Sequence, residues 1–240
     1  MLMNVSLYGA YRITSQLGDP TVYGNIPPCP AIIHAVTQAL NSPSMAAGYV
    51  NACGTNEARS AVASHHCTTA DNVIIANGAS GALELALTAI LDEGSVLLVP
   101  RPGFPLYQVI AESHGASVVH YDLQPENNWE CNLDRIESIL RDLNGRDWNH
   151  NVVRGILVNN PSNPTGAVYS RQHLIQIAQL AARYRVPIIS DEIYGDITLD
   201  GNIFHPMADV VAKLGGIVPV ITASGIGKQC EFDSVTAVSV

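Results

Sequence analysis

The chain has 240 residues, 47% of them hydrophobic and 14% charged, against a common charged share of about 25%. With 12 Lys+Arg and 21 Asp+Glu its net charge is −9, which argues against a nucleic-acid groove or an anionic membrane surface as partner. High apolar content without a long charge run excludes intrinsic disorder, and no apolar stretch approaches the roughly 18 residues of a membrane span. The start, Met-Leu-Met-Asn-Val-Ser, lacks the basic region and apolar core of a secretory signal. Five scattered cysteines (Cys29, Cys53, Cys67, Cys131, Cys230) form no C-x-x-C pair. They fit a reducing compartment: the cytoplasm, with the mitochondrion as the second choice.

Residues 1–45 are rich in turn formers, with Gly18-Asp19-Pro20 and Pro27-Pro28-Cys29-Pro30. They are expected to stand apart from a larger domain at 46–240. Within them Ala31–Leu40 has helical spacing, and Asn56–His65 is a second helix. His65 and His66 beside Cys67 invite a metal reading. Adjacent residues rarely hold one ion, and no partner pair sits at zinc spacing, so a solvated helix end is preferred. An alternating rhythm follows. Strands are expected at 72–76, 95–99, 117–121, 155–158, 186–190 and 217–222. Helices are expected at 81–91, 106–114, 133–143 and 172–184. Strands apolar on both faces, alternating with helices, predict an α/β fold: a mainly parallel sheet covered by helices.

In such sheets ligands bind at the carboxyl ends of strands, so the loops there carry the functional signal. After Ala76 comes Asn77-Gly78-Ala79-Ser80-Gly81, small residues opening a helix, which is a phosphate cradle or a turn kept small for packing. After Val158 comes Asn159-Asn160-Pro161-Ser162-Asn163-Pro164-Thr165-Gly166, a rigid loop expected to present the Asn163 amide. After Ser190 comes Asp191-Glu192-Ile193-Tyr194. An acid there is costly without a partner, and the alternative is a helix N-cap with Asp191 and Tyr194 on one face of the first turn. The chain has only two lysines. Lys213 ends an amphipathic stretch and reads as solvated. Lys228 follows the strand 217–222 in Ala223-Ser224-Gly225-Ile226-Gly227, a loop from which an amine could reach the same cleft. With Phe104, after Pro100-Arg101-Pro102-Gly103, the set suits pyridoxal 5′-phosphate, which needs a lysine, a carboxylate for its ring nitrogen and a phosphate site.

At these residues the sequence resembles the class I, fold-type I aminotransferases, and among them the tyrosine aminotransferase group. The matching stretches are GDPTVYGNIP at 18–27, VPRPGFPLY at 99–107, VNNPSNPTG at 158–166, SDEIYGD at 190–196 and SGIGK at 224–228. The resemblance implies a pyridoxal-phosphate-binding large domain at 46–240, preceded by an arm or partial small domain at 1–45. It implies Lys228 as the Schiff-base lysine and proton-transfer base. It also implies Asp191 as partner of the pyridinium nitrogen, Asn163 and Tyr194 as donors to the ring oxygen, and Phe104 stacked on the ring. Ala79 and Ser80 would hold the phosphate, Tyr49 would reach the neighbouring subunit's phosphate in a homodimer, and Gly18 would belong to the substrate-carboxylate loop. Amino acids and 2-oxo acids are the implied substrates. Beyond Lys228 the resemblance lapses. The family continues with a glycine-rich stretch containing R-[LIVM]-G, whereas Gln229–Val240 contains no arginine. The expectation is therefore an incomplete large domain without the C-terminal small domain, a fragment impaired in catalysis. A non-catalytic, subunit-pairing relative and a lyase on the same fold are the alternatives.

Overall fold

The structure, a computed structural model, describes residues 6–7, 11–12, 29–42, 48–66, 68–144, 152–198, 201–229 and 236–239. It divides into two compact units, Met1–Ala46 and Ala47–Val240. The first holds an antiparallel pair, β1 (Ser6–Leu7) and β2 (Tyr11–Arg12), and helix α1 (Pro30–Leu40). The proline cluster read above among the turn formers supplies the start of α1. Pro30 sits at the first helical position, where its missing N–H costs no hydrogen bond.

The second unit begins with α2 (Asn56–His65), capped by Thr55, whose hydroxyl accepts from the Ala58 N–H. Then β3 (Val73–Ala76), α3 (Gly78–Ile90), β4 (Val96–Arg101), α4 (Leu106–Ser113), β5 (Ser117–Gln124) and β6 (Glu130–Cys131) follow. Next come α5 (Leu133–Asn144), β7 (Val153–Asn159), α6 (Arg171–Tyr184), β8 (Ile188–Asp191), α7 (Met207–Lys213), β9 (Val220–Gly225), the short α8 (Ile226–Gln229) and β10 (Thr236–Ser239). Eight strands form one sheet in the order β3-β10-β9-β8-β7-β4-β5-β6. The run β9-β8-β7-β4-β5 is parallel throughout, and β10 lies antiparallel between β3 and β9. This is the expected α/β class, a mainly parallel sheet under helices.

Alternation along each strand divides the core. One face of the sheet gathers Leu98, Val158 and Ile188 with α5, α6 and α7. The other gathers Leu97, Leu157, Ile189 and Ala223 with α3 and α4. None of the helices among the described residues is long and apolar enough to cross a membrane.

Several boundaries move, for physical reasons. β4 runs through Pro100 to Arg101, past the expected end at residue 99. Its ladder with β7 stops at Leu98, so the proline nitrogen lies beyond that side's bonds, while pairing with β5 continues to Arg101. β9 begins three residues later than read and takes in Ala223-Ser224-Gly225, because β8 pairs with Ala223 and β10 with Ser224 and Gly225. β6 and β10 carried no sequence signal as strands; each exists through pairing with a neighbour.

Candidate active site

The strands β3, β9, β8, β7 and β4 point their carboxyl ends to one edge of the sheet. Each successor loop therefore opens there.

The turn after β3 is shorter than expected. α3 starts at Gly78, so Gly78, Ala79 and Ser80 form its first turn. Gly78 takes φ +69° and a Cβ there would meet nothing within 4 Å, so the backbone borders open space. The Asn77 side chain makes no capping bond to that turn. The first N–H groups of a helix lack intrahelical partners, and with the helix dipole they form an anion site.

The end of β8 is the centre of the arrangement. Asp191 is the last residue of the strand and residues 193–196 form turns, so the alternative of a helix N-cap, with Asp191 and Tyr194 on one face of a first helical turn, does not hold. Its carboxylate is 3% exposed. Oδ2 accepts from the Tyr107 hydroxyl at 2.6 Å and Oδ1 from the Ile193 N–H at 3.2 Å. Burial pushes this carboxyl above the ordinary range, and those two donors pull it back. Tyr194 is half-buried close by; burial, then the Asp191 charge, raises its phenol.

Beside β8, the loop after β7 is built on two asparagine side chains. Asn159 Oδ1 accepts from the Asn163 N–H at 2.6 Å, and Asn160 Oδ1 from the Tyr169 N–H at 2.8 Å. The Asn160 N–H donates to the Asp191 carbonyl at 3.0 Å, which ties loop and strand end together. The loop thus holds half-buried Asn163 at the strand end beside β8. Peptide bonds Asn160-Pro161 and Asn163-Pro164 are cis, as is Arg101-Pro102 after β4.

On the other flank, β9 runs into α8. Lys228 stands in this single helical turn and not in a loop, half-buried, three residues past the strand end. After β4, Gly103 leaves no room for a side chain against the Pro100 carbonyl. Phe104, 37% exposed, meets Tyr107 edge-on, with ring centroids 5.8 Å apart at 82°. Tyr107 then reaches Asp191, so α4 links the aromatic to the carboxylate. Tyr107 was missed in the sequence, although it lies within the VPRPGFPLY stretch; a buried tyrosine looks like core until its partner is seen.

The structure therefore brings Asp191, Asn163, Tyr194, Phe104 and the Lys228 turn to one edge, with Ala79 and Ser80 at the helix start along it. Tyr49 is fully exposed and touches none of them. Gly18 lies outside the described residues. His66, read as part of a solvated helix end, is instead bonded: its Nε2 lies 3.0 Å from the Ser224 hydroxyl. Together with Glu192, Asp196 and Asp209 it lines a cavity of about 290 Å³.

The family description for class I and II aminotransferases matches residues 16–231. Tyrosine aminotransferase of Bos taurus is 41% identical over 222 residues, covering 90% of this chain and 46% of that protein. The Dictyostelium discoideum tyrosine aminotransferase is 39% identical, with 90% and 50% covered. Among solved structures, tyrosine aminotransferase from Leishmania infantum aligns with a TM-score of 0.81 at 32% identity, covering 93% of this chain and 55% of that one. An aminotransferase from Escherichia coli gives 0.81 at 28%, with 93% and 53% covered. The chain spans about half the length of the curated relatives it matches.

Proposed function

The chain belongs to the class I and II aminotransferases, and from that premise we propose that its strand-end site binds pyridoxal 5′-phosphate and serves transfer of an amino group from an aromatic amino acid to a 2-oxo acid. The observation that carries this is Asp191: a buried carboxylate at a strand end, held by two donors and lying between the Asn163 loop and the strand that leads to Lys228. A buried anion of this kind needs a cationic partner, and a protonated ring nitrogen is one. The donor set fits the whole cofactor. Lys228 offers an amine, Asn163 and Tyr194 offer donors for a ring oxygen, Phe104 offers a ring face, and the start of α3 offers N–H groups for a phosphate.

When bound, the cofactor supplies an electron sink for the substrate's α-carbon. The protein's own groups do the rest. Asp191, ionised, would keep a proton on the ring nitrogen. Lys228 Nζ would carry the proton that leaves the substrate's α-carbon to the cofactor's C4′ carbon, and back again on the reverse half of the cycle. Asn163 is fixed through its own N–H to Asn159, so its position does not depend on substrate. The neighbouring subunit contributes Tyr49 in a homodimer.

Gln229–Val240 contains no arginine, where the family carries one for the phosphate. That favours a second reading for these 240 residues taken alone: weak cofactor binding with little turnover, in a chain that pairs with another subunit. One experiment tests the site and a second separates the readings. After incubation with pyridoxal phosphate and borohydride reduction, peptide mapping is expected to find the label on Lys228; a label on Lys213, or none, overturns the assignment. Tyrosine-to-2-oxoglutarate transfer by the same protein then decides. Turnover within tenfold of a complete aminotransferase favours the enzyme, and its absence with Lys228 labelled favours the pairing chain.

A further inference from the structure

Tyr107 stands out among the buried polar side chains. It is fully buried on α4, 84 residues from Asp191 in sequence, and its hydroxyl is spent on one atom, Asp191 Oδ2, at 2.6 Å. A phenylalanine would fill the same space among Leu97, Val99 and Leu157 without a hydroxyl to satisfy. A buried hydroxyl aimed at a buried carboxylate is a charge-assisted bond, short and directional.

We propose that Tyr107 is a positioning residue of this site: its hydroxyl holds the Asp191 carboxylate in one orientation and favours its ionised form. The inference rests on the reading of Asp191 as the ring-nitrogen partner, but the bond itself is a property of the protein alone. Two features make it work in one direction. Burial, then the Asp191 charge, keeps the Tyr107 phenol far above its ordinary titration range, so it remains a donor at every relevant pH. And the Ile193 N–H holds the other oxygen, so loss of the phenol frees one half of the carboxylate while the other stays fixed. Tyr107 from α4, Tyr194 from the turn after β8, and Glu192, its chain neighbour on the opposite face of the sheet, each interact electrostatically with Asp191. Phe104 rests edge-on against Tyr107, so the α4 start delivers both the ring face and the clamp on the acid.

The test uses the 240-residue chain labelled with [γ-13C]aspartate, with the Asp191 resonance assigned through Asp191→Asn. Tyr107→Phe keeps the ring and removes the donor. The Asp191 carboxyl is expected to titrate about one pH unit or more higher in Tyr107→Phe than in the parent. Affinity for pyridoxal phosphate, read by fluorescence quenching, is expected to fall about tenfold. An unchanged Asp191 titration overturns the proposal, whatever the cofactor affinity does. If the parent binds no pyridoxal phosphate, the functional reading fails while the carboxyl titration still judges the clamp. Should Tyr107→Phe fold poorly by circular dichroism, the parent decides: its Tyr107 hydroxyl proton is expected as a downfield-shifted resonance that disappears in Asp191→Asn, and persistence of that resonance overturns the proposal.

Discussion

Asp191 and Glu192 are adjacent carboxylates, 3% and 2% exposed, and they serve opposite faces of the same sheet. Asp191 shares its face with Tyr107, α3 and α4. Glu192 faces α7: its Oε1 accepts from the Ser190 hydroxyl at 2.7 Å and from the Met207 N–H, at the start of α7, at 2.8 Å. Its own N–H donates to the Ala223 carbonyl on β9. The same residue chemistry thus does two jobs. The Glu192 carboxylate accepts from a strand neighbour and a helix start, which ties β8 to α7. Asp191 is held by a remote phenol and one N–H at the edge where the chemistry lies. What separates a structural acid from a functional one here is the kind of partner, since the burial is the same.

The widest separation is expected from removing each charge in turn. Asp191→Asn keeps shape but cannot hold a proton on a ring nitrogen. Breaking one side of a buried charge pair costs about 3–5 kcal/mol, or roughly two to four decades in affinity. Pyridoxal-phosphate affinity, measured by fluorescence or by the yield of borohydride label on Lys228, should fall by that much. Glu192→Gln should leave that affinity within a few fold. Equal losses in the two variants would erase the distinction drawn between them.

The second contrast is in stability. Glu192→Ala strands the Ser190 hydroxyl and the Met207 N–H inside the protein, at about 1–3 kcal/mol for each unsatisfied group. Burial raises the Glu192 carboxyl from 4.5 to about 7. A carboxyl raised on folding binds its proton more tightly in the native state. Its contribution to stability is therefore complete below pH 4.5 and is lost as pH rises through about 7. The total is about 3 kcal/mol on the ordinary conversion of pH units. Urea midpoints at pH 5 and pH 8 should show the parent losing stability over that interval. Glu192→Gln, uncharged at both, should lose less. A parent that gains stability over the same interval would reverse the sign assigned to this acid.

How far the sequence reached differs between the same two residues. Asp191, Asn163 and Lys228 stood out because each follows an apolar strand, and in parallel sheets strand ends share an edge. That logic needs only local pattern. Tyr107 and Glu192 were not legible as to role, because their meaning lies in partners brought together by the fold: Tyr107 across β7 to β8, Glu192 back onto Ser190 and forward to α7. The sheet class was readable from alternation. β10 was not, since Thr236-Ala-Val-Ser239 gains strand geometry from the gap between β3 and β9. The alternative weighed at Asp191, a helix N-cap, fails because a local capping preference is overridden by the ladder to Asn159 and Ala223, which carries the strand through Asp191.

The smallest expected effect tests whether the rear face is independent of the site. Ser224 lies on β9, four residues before Lys228, and its side chain belongs with Glu192 and His66 at the 290 Å³ cavity. Burial, then His65, lowers the His66 titration below 6.5, against opposing pulls from Asp209 and Asp196. A histidine lowered on folding contributes stability above its ordinary value and loses it as pH falls through the native one, the reverse of Glu192. Ser224→Ala removes one hydrogen bond and should lower stability by about 1 kcal/mol, read from the urea midpoint at pH 8. If the two faces act separately, pyridoxal-phosphate affinity in Ser224→Ala should stay within about twofold, because the bond anchors α2 to the sheet and not the lysine to its position. A tenfold loss of affinity at unchanged fold would mean that the strand leading to Lys228 is set from behind by His66, and the division between a structural and a functional face would have to be withdrawn.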